Sequence, residues 1–205
     1  MRTVVVAGAS GLVGTSLVRQ LLAHSGVGRV VAFVRRPLGV TDKKLSERDF
    51  AAMEMPKDVE DAYCALGTTR KQAGSAEAFI AVDKVAVLKF AQAARAAGAR
   101  RFLLVSSIGA NARSMNLYLR TKGEVEAELT SMGFDALHIL QPSFLDGDRK
   151  VPRAGEGVGL AVARVLSPLL GKWAPVHVDV VAAAMVKLAF SDRFGVSVHT
   201  NLARV

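Results

Sequence analysis

The segment that most limits what this chain can fold into is "GASGLVG", residues 8–14, which follows the β-branched run "TVVVA" without a spacer. It is followed by apolar residues at helical spacing, Leu12, Leu17, Val18, Leu21 and Leu22, up to Gly26, and then by a second apolar run, "RVVAFV", at residues 29–34. Periodicity therefore predicts strand, helix and strand within the first 35 residues. Gly8, Gly11 and Gly14 fall at the strand-to-helix junction. There glycine permits a tight turn, lets main-chain N–H groups approach a pyrophosphate and brings helix close to strand. A helix N-terminus at that point favours an anion. The stretch Gly8, Ala9, Ser10, Gly11, Leu12, Val13 and Gly14 is thus expected to cradle a nucleotide.

The alternation continues along the chain. "DAYCALG" (61–67) reads as a strand stopped by glycine, and "TTRKQAGS" as a polar loop. A long helix is predicted from about Ala76 to Ala97, marked by Phe79, Val82, Val85, Leu88 and Ala91. "RFLLVSS" is a buried strand, "MNLYLRTKGEVEAELTSMG" a helix and "DALHILQ" a strand ended by Pro142. The least patterned stretch is 40–58, with a weak strand near Leu45 to Phe50. Beyond Pro142, "SFLDGDRKVPRAGEG" reads as a long loop of the kind that lines a site. A short helix near 157–170, a brief strand "PVHV", a helix from Asp179 as N-cap and a last strand "VSVHT" complete the pattern. Near-continuous apolar strands alternating with helices predict an α/β fold: a Rossmann-type, doubly wound parallel sheet. The expectation is one domain over residues 1–205, with about 143–205 forming a small C-terminal substrate side.

The end of the second strand addresses which dinucleotide is bound. NAD sites place an acid there for the ribose hydroxyls, but "AFVRRP" ends in Arg35 and Arg36, and the next acid is Asp42. A guanidinium clamps a 2′-phosphate, so NADP(H) is expected in preference to NAD(H). The formal net charge of +9 raises nucleic acid as a partner. Its basic pairs lie in separate segments, however, and only 6% of residues are aromatic, which argues against a base-stacking surface. The sequence shows no secretory signature and no uninterrupted apolar span, so no membrane partner and a cytoplasmic location are expected. Cys64, the single cysteine, reads as a buried structural thiol. His24, His138, His177 and His199 have no metal spacing and read as packing or surface residues, and Trp173 as a core anchor or pocket cap.

"RFLLVSS" ends in Ser106 and Ser107 on the sheet edge where open α/β folds bind ligands, and Tyr118 follows, four residues before Lys122. On a helix such a pair shares one face. The glycine loop, the strand-final serines and Tyr-x-x-x-Lys look like the short-chain dehydrogenase/reductase superfamily. "CALGTTRKQAG", "SSIGAN", "YLRTKGEVEAEL" and "QPSFLDGDR" resemble its atypical branch, which includes the Tat-interacting-protein family of NADPH-binding proteins; the likeness runs from about residue 3 to residue 190. The resemblance implies that Tyr118 gives a proton to a substrate carbonyl oxygen. It gives Lys122 the roles of tuning the phenol and bonding the nicotinamide ribose, and a strand-end serine, Ser107 in preference to Ser106, that of holding the carbonyl oxygen. It further implies that Asp49 meets the adenine amino group. Leu66, Gly67, Thr68 and Thr69 would pass beside the adenosine ribose and pyrophosphate, and Pro142, Ser143 and Phe144 would flank the nicotinamide amide. Two departures from the superfamily pattern are the short interval between Ser107 and Tyr118 and "LGTTR" in place of Asn-Ala-Gly after the fourth strand.

Two functions follow as expectations: an NADP(H)-dependent reductase of a carbonyl or quinone-like small molecule, or an NADPH-reading sensor that contacts a protein partner with little turnover. Either is compatible with a monomer or a homodimer.

Overall fold

The computed structural model describes residues 1–146 and 175–205. Seven strands form one sheet in the order β3-β2-β1-β4-β5-β6-β9, all neighbours parallel. They are β1 (Arg2–Ala7), β2 (Val27–Val34), β3 (Leu45–Asp49), β4 (Asp61–Cys64), β5 (Arg101–Val105), β6 (Ala136–Leu140) and β9 (Gly195–His199). A separate parallel pair joins β7 (Leu145–Asp146) to β8 (Val176–His177). Winding starts at β1, proceeds to β2 and β3, then returns to β4 on the other side of β1 and continues outward. The reversal between β1 and β4 opens a crevice at their carboxyl ends, where ligands bind in this architecture.

Both faces of the sheet are covered, which explains the unbroken apolar strands. Side chains alternate along β1: Val4 and Val6 join one core, Val5 and Ala7 the other. The first core is closed by α1 (Leu12–Ala23) and α6 (Val178–Ala189) through Leu17, Leu21, Val181 and Met185. The second is closed by α4 (Val87–Ala96) and α5 (Leu117–Ser131) through Phe90, Ala94, Val125 and Leu129. Ser16 and Arg19 of α1 both donate to Asp179 of α6, Arg19 at 2.7 Å, which fixes the two helices side by side.

Most expected elements are present, including the weak strand in 40–58, which is β3 at the sheet edge. Four details differ. Within the expected polar loop "TTRKQAGS", Thr69 caps a short helix, α2 (Arg70–Ala73), by accepting from the Gln72 amide. The N-cap of α6 is His177, whose Nδ1 accepts from the Asp179 amide, rather than Asp179 itself. Residues Leu145–Asp146, expected as loop, are strand β7. Finally, the helix expected over 76–97 runs through α3 (Ala76–Ile80), a π-helical segment (Ala81–Ala86) and α4. The wider π turn displaces the apolar count, so Val85 is 58% exposed while Asp83 and Val87 are fully buried. The helix predicted near 157–170 and Trp173 lie outside the described residues. Among the described residues, no helix is long and apolar enough to cross a membrane.

Candidate functional site

The crevice is shaped by what cannot be there. Gly8 has φ +81°, a left-handed conformation, and a β-carbon on it would fall 2.5 Å from the Ala65 carbonyl group. A β-carbon on Gly14 would fall 2.0 Å from the Gly8 carbonyl oxygen. The loop thus presses against both the following helix and the neighbouring strand end. Gly11 is the N-cap of α1 and supplies no side-chain cap, so the first-turn N–H groups lack the usual side-chain acceptor. Ala9 and Val13 are buried beneath the loop, Leu12 is half-buried, and Ser10 and Gly11 lie at the surface. These features fit a diphosphate carried against bare amides.

At the end of β2, Arg35 and Arg36 line a surface pocket of about 300 Å³ with Glu47, Arg48 and Asp49. The structure therefore brings together the two arginines and the acid singled out in the sequence, and adds Arg48. Asp49 is exposed and its Oδ1 accepts from the Ala51 amide at 3.1 Å. Leu66, Gly67, Thr68 and Thr69 follow β4, and the Leu66 nitrogen lies 2.7 Å from where a β-carbon on Gly8 would fall. Their course is held by the Asp83 carboxylate, whose Oδ2 accepts from the Thr68 amide at 2.8 Å.

Tyr118 stands in the first turn of α5, where Asn116 caps the helix by accepting from the amides of Tyr118 and Leu119 at 2.9 and 3.2 Å. Its ring leans on Phe79, with centroids 5.7 Å apart, and lines a cleft of about 560 Å³ with Thr69, Arg70, Lys71, Met115, Asn116 and Leu117. Lys122 lies one turn on, its Nζ 6.0 Å from the centre of the Tyr118 ring. It is buried, and its ammonium is 2.8 Å from Asp83 Oδ1. Burial is the largest single influence and works against the lysine charge, but Asp83, Tyr118 and Cys64 together outweigh it, and the amine is held above its ordinary value.

The two serines are separated by their surroundings. Ser106 is buried and its hydroxyl donates to Glu126 of α5, a carboxylate that also accepts from Gln141 Nε2 at 3.0 and 3.1 Å. Ser106 therefore ties β5 to α5. Ser107 is half-buried, its hydroxyl near the Ile108 carbonyl at 3.4 Å. Pro142 is buried and its carbonyl accepts from the Ile108 amide at 2.9 Å, which joins the Pro142-Ser143-Phe144 strip to the serine turn. Phe144 is 69% exposed.

Sequence inspection missed Asp83, Gly123 and Glu126. Gly123 and Glu126 had a signal, a glycine inside a helical pattern and a glutamate one turn beyond Lys122, whereas the count that marks a buried helix face passes over Asp83.

Residues 8–191 match the NAD(P)H-binding family. Rat HTATIP2 is 37% identical over 164 residues, covering 76% of this chain and 67% of that protein. The mitochondrial protein FMP52 of Candida albicans is 36% identical over 178 residues, covering 82% and 75%. Among solved structures, a UDP-N-acetylglucosamine 4-epimerase from Methanobrevibacter ruminantium M1 superimposes with a TM-score of 0.72 at 18% identity, covering 96% of this chain and 76% of that one, a likeness of fold. The fungal FMP52 relatives are named mitochondrial, which overturns the cytoplasmic expectation. That expectation rested on the lack of a secretory signature, a criterion that does not separate cytosol from mitochondrion. The glycine crevice, the Rossmann-type sheet and these matches lead to one conclusion: the chain belongs to the NAD(P)H-binding family, in the atypical short-chain dehydrogenase/reductase group with HTATIP2 and the FMP52 proteins.

Proposed function

We propose that this protein is an NADP(H)-dependent oxidoreductase that reduces a carbonyl or quinone-like small molecule. The observation that carries this reading is Tyr118 opening onto a cleft while its helix presents Lys122 one turn below, next to the strip that leaves β4. The glycine loop 8–14 and the amides at the start of α1 would hold the diphosphate. Arg35 and Arg36 would hold the 2′-phosphate, Asp49 the adenine, and Leu66 to Thr69 together with Pro142 to Phe144 the flanks of the coenzyme. A reduced nicotinamide supplies hydride when bound. Tyr118 donates its phenolic proton to the substrate oxygen, Lys122 orients the ribose side and sets the local charge, and Ser107 donates to the oxygen as negative charge develops there. Ser106, engaged by Glu126, serves as a support rather than a second donor.

One observation favours a second reading. The Lys122 ammonium is matched by a buried carboxylate 2.8 Å away, so its charge is already engaged within the fold. A protein of this kind would read the NADPH level and pass it to a protein partner with little turnover. The two readings separate in one experiment. NADPH consumption is followed across a panel of aldehydes, ketones and quinones, with Tyr118→Phe as control. Turnover that disappears in the variant supports the reductase. Tight NADPH binding without consumption across the panel supports the sensor, and absence of dinucleotide binding defeats both.

A further inference from the structure

We infer that Asp83 is a positioning residue that keeps Lys122 charged and, through the Thr68 amide, locks the cofactor-side strip of β4 to the Tyr118–Lys122 helix. The inference rests on the proposed function for its catalytic meaning, and on the geometry of the ion pair for everything else.

Asp83 lies in the π segment and is fully buried. Its two oxygens do different work. Oδ1 faces the Lys122 ammonium at 2.8 Å, and Oδ2 accepts from the Thr68 N–H at 2.8 Å. Gly67 passes directly over the pair: a β-carbon there would sit 3.5 Å from Asp83 Oδ1 and 3.6 Å from Lys122 Nζ. One carboxylate therefore touches both the strip expected to meet the coenzyme and the cation expected to serve it.

The groups around Lys122 come from three elements: Asp83 from the π segment, Cys64 from β4 and Tyr118 from α5 itself. Asp83 leads the influences that favour the charged amine, opposing a larger penalty from burial. Adjacent Lys84 reaches Glu124 and Glu128 of α5 at 2.9 Å each, so the π segment is held to α5 by ion pairs of both polarities. A π turn is a costly local arrangement that recurs at functional sites. Here it turns an acid inward where the surrounding helix buries apolar residues.

The test uses Asp83→Asn, which keeps the side-chain volume and an oxygen that can accept from Thr68 but removes the charge. NADPH affinity is measured by nicotinamide fluorescence from pH 6 to pH 10 in the parent and the variant. The variant should lose affinity at lower pH than the parent, so that at alkaline pH it binds roughly tenfold or more weakly. Toward pH 6, where the ammonium is most favoured in both, the gap should close to within about threefold. Superimposable pH profiles would overturn the inference. Urea denaturation supplies a second measurement that needs no coenzyme. In the parent the raised lysine contributes stability below its unfolded value near 10.4, lost as pH rises through the folded value. In Asp83→Asn the buried amine has no counter-charge, so the charged form costs stability below that value. The gap between parent and variant should therefore be wide at pH 7 and narrow above about pH 10.4, and adding Lys122→Met to Asp83→Asn should recover stability at pH 7. A gap independent of pH, or no recovery, overturns the inference. A parent that binds no dinucleotide removes the proposed function while leaving this second measurement decisive.

Discussion

Gly123 faces Ala112 with no room for a methyl group between them: a β-carbon at Gly123 would fall 2.2 Å from the Ala112 amide nitrogen and 2.3 Å from the Asn111 carbonyl carbon. The connection from Ser107 to Tyr118 is thus laid directly on α5. It is fastened there by the Asn111 amide donating to the Leu119 carbonyl at 3.0 Å, while the Ser114 amide closes a turn within the connection by donating to the Asn111 carbonyl at 2.9 Å. Close backbone approach accommodates the short interval between Ser107 and Tyr118. In an exposed helix, Gly→Ala would stabilise by roughly 1 kcal/mol. Here the obstacle is backbone, which cannot swing aside. Gly123→Ala is expected to destabilise by about 1–3 kcal/mol in urea denaturation. A more stable variant would contradict this packing.

Arg35 and Arg36 lie in one pocket with Asp49, open to solvent, and their contribution should be selective. A guanidinium contact to a phosphate contributes about 1.5–3 kcal/mol, equivalent to roughly 10- to 150-fold in affinity. The Arg35→Ala, Arg36→Ala double variant should weaken NADPH binding by about that factor and leave NADH binding nearly unchanged. Titration of both dinucleotides checks this, and equal affinities in the parent would end the case for the phosphorylated coenzyme.

What the sequence made legible, and what it hid, follows from the kind of regularity involved. The glycine crevice could be read because backbone demands were written into residue type: Gly8 needs a positive φ, and Gly14 a bare α-carbon. The order of strands and helices could be read because burial on both sheet faces produces solid apolar runs. Asp83 could not, because the helical count that marks a buried face assumes 3.6 residues per turn, and a π segment breaks it. Counting forward from Phe79 nominated Val82 and Val85, whereas the fold buries Asp83 and Val87. Ser106 and Ser107 are adjacent candidates, and only the family resemblance put Ser107 first. Only the placement of Glu126 one turn beyond Lys122 shows which hydroxyl is already taken.

Cys64 ends β4 under the Lys122 region, fully buried, and burial pushes its thiol up to about 12. The thiolate is the reactive form, so at neutral pH the folded protein should leave this cysteine unmodified by a disulfide reagent. Modification should appear only as the protein unfolds, one thiol per chain. Rapid labelling under native conditions would show that β4 is open to solvent.

His138 of β6 gives the fold a pH dependence of predictable sign. The ring is fully buried, Nδ1 lies 3.4 Å from Nε2 of His199 on β9, and Nε2 has no hydrogen-bond partner among the described residues. Burial, reinforced by His199, Arg193 and Arg101, pulls the imidazole down to about 4. In the unfolded chain it titrates near 6.5, so between these values the unfolded state binds the extra proton. Stability should therefore fall as pH drops from about 6.5 to about 4, by an amount on the order of 3 kcal/mol. His199, also lowered chiefly by burial, acts in the same direction. Asp61, whose carboxyl is raised by burial, opposes them, so the informative quantity is the difference between the parent and His138→Leu. Urea denaturation at pH 7.5, 6, 5 and 4.5 should show the parent losing stability relative to the variant as pH falls. Parallel curves would mean that the β6–β9 edge admits water to the ring.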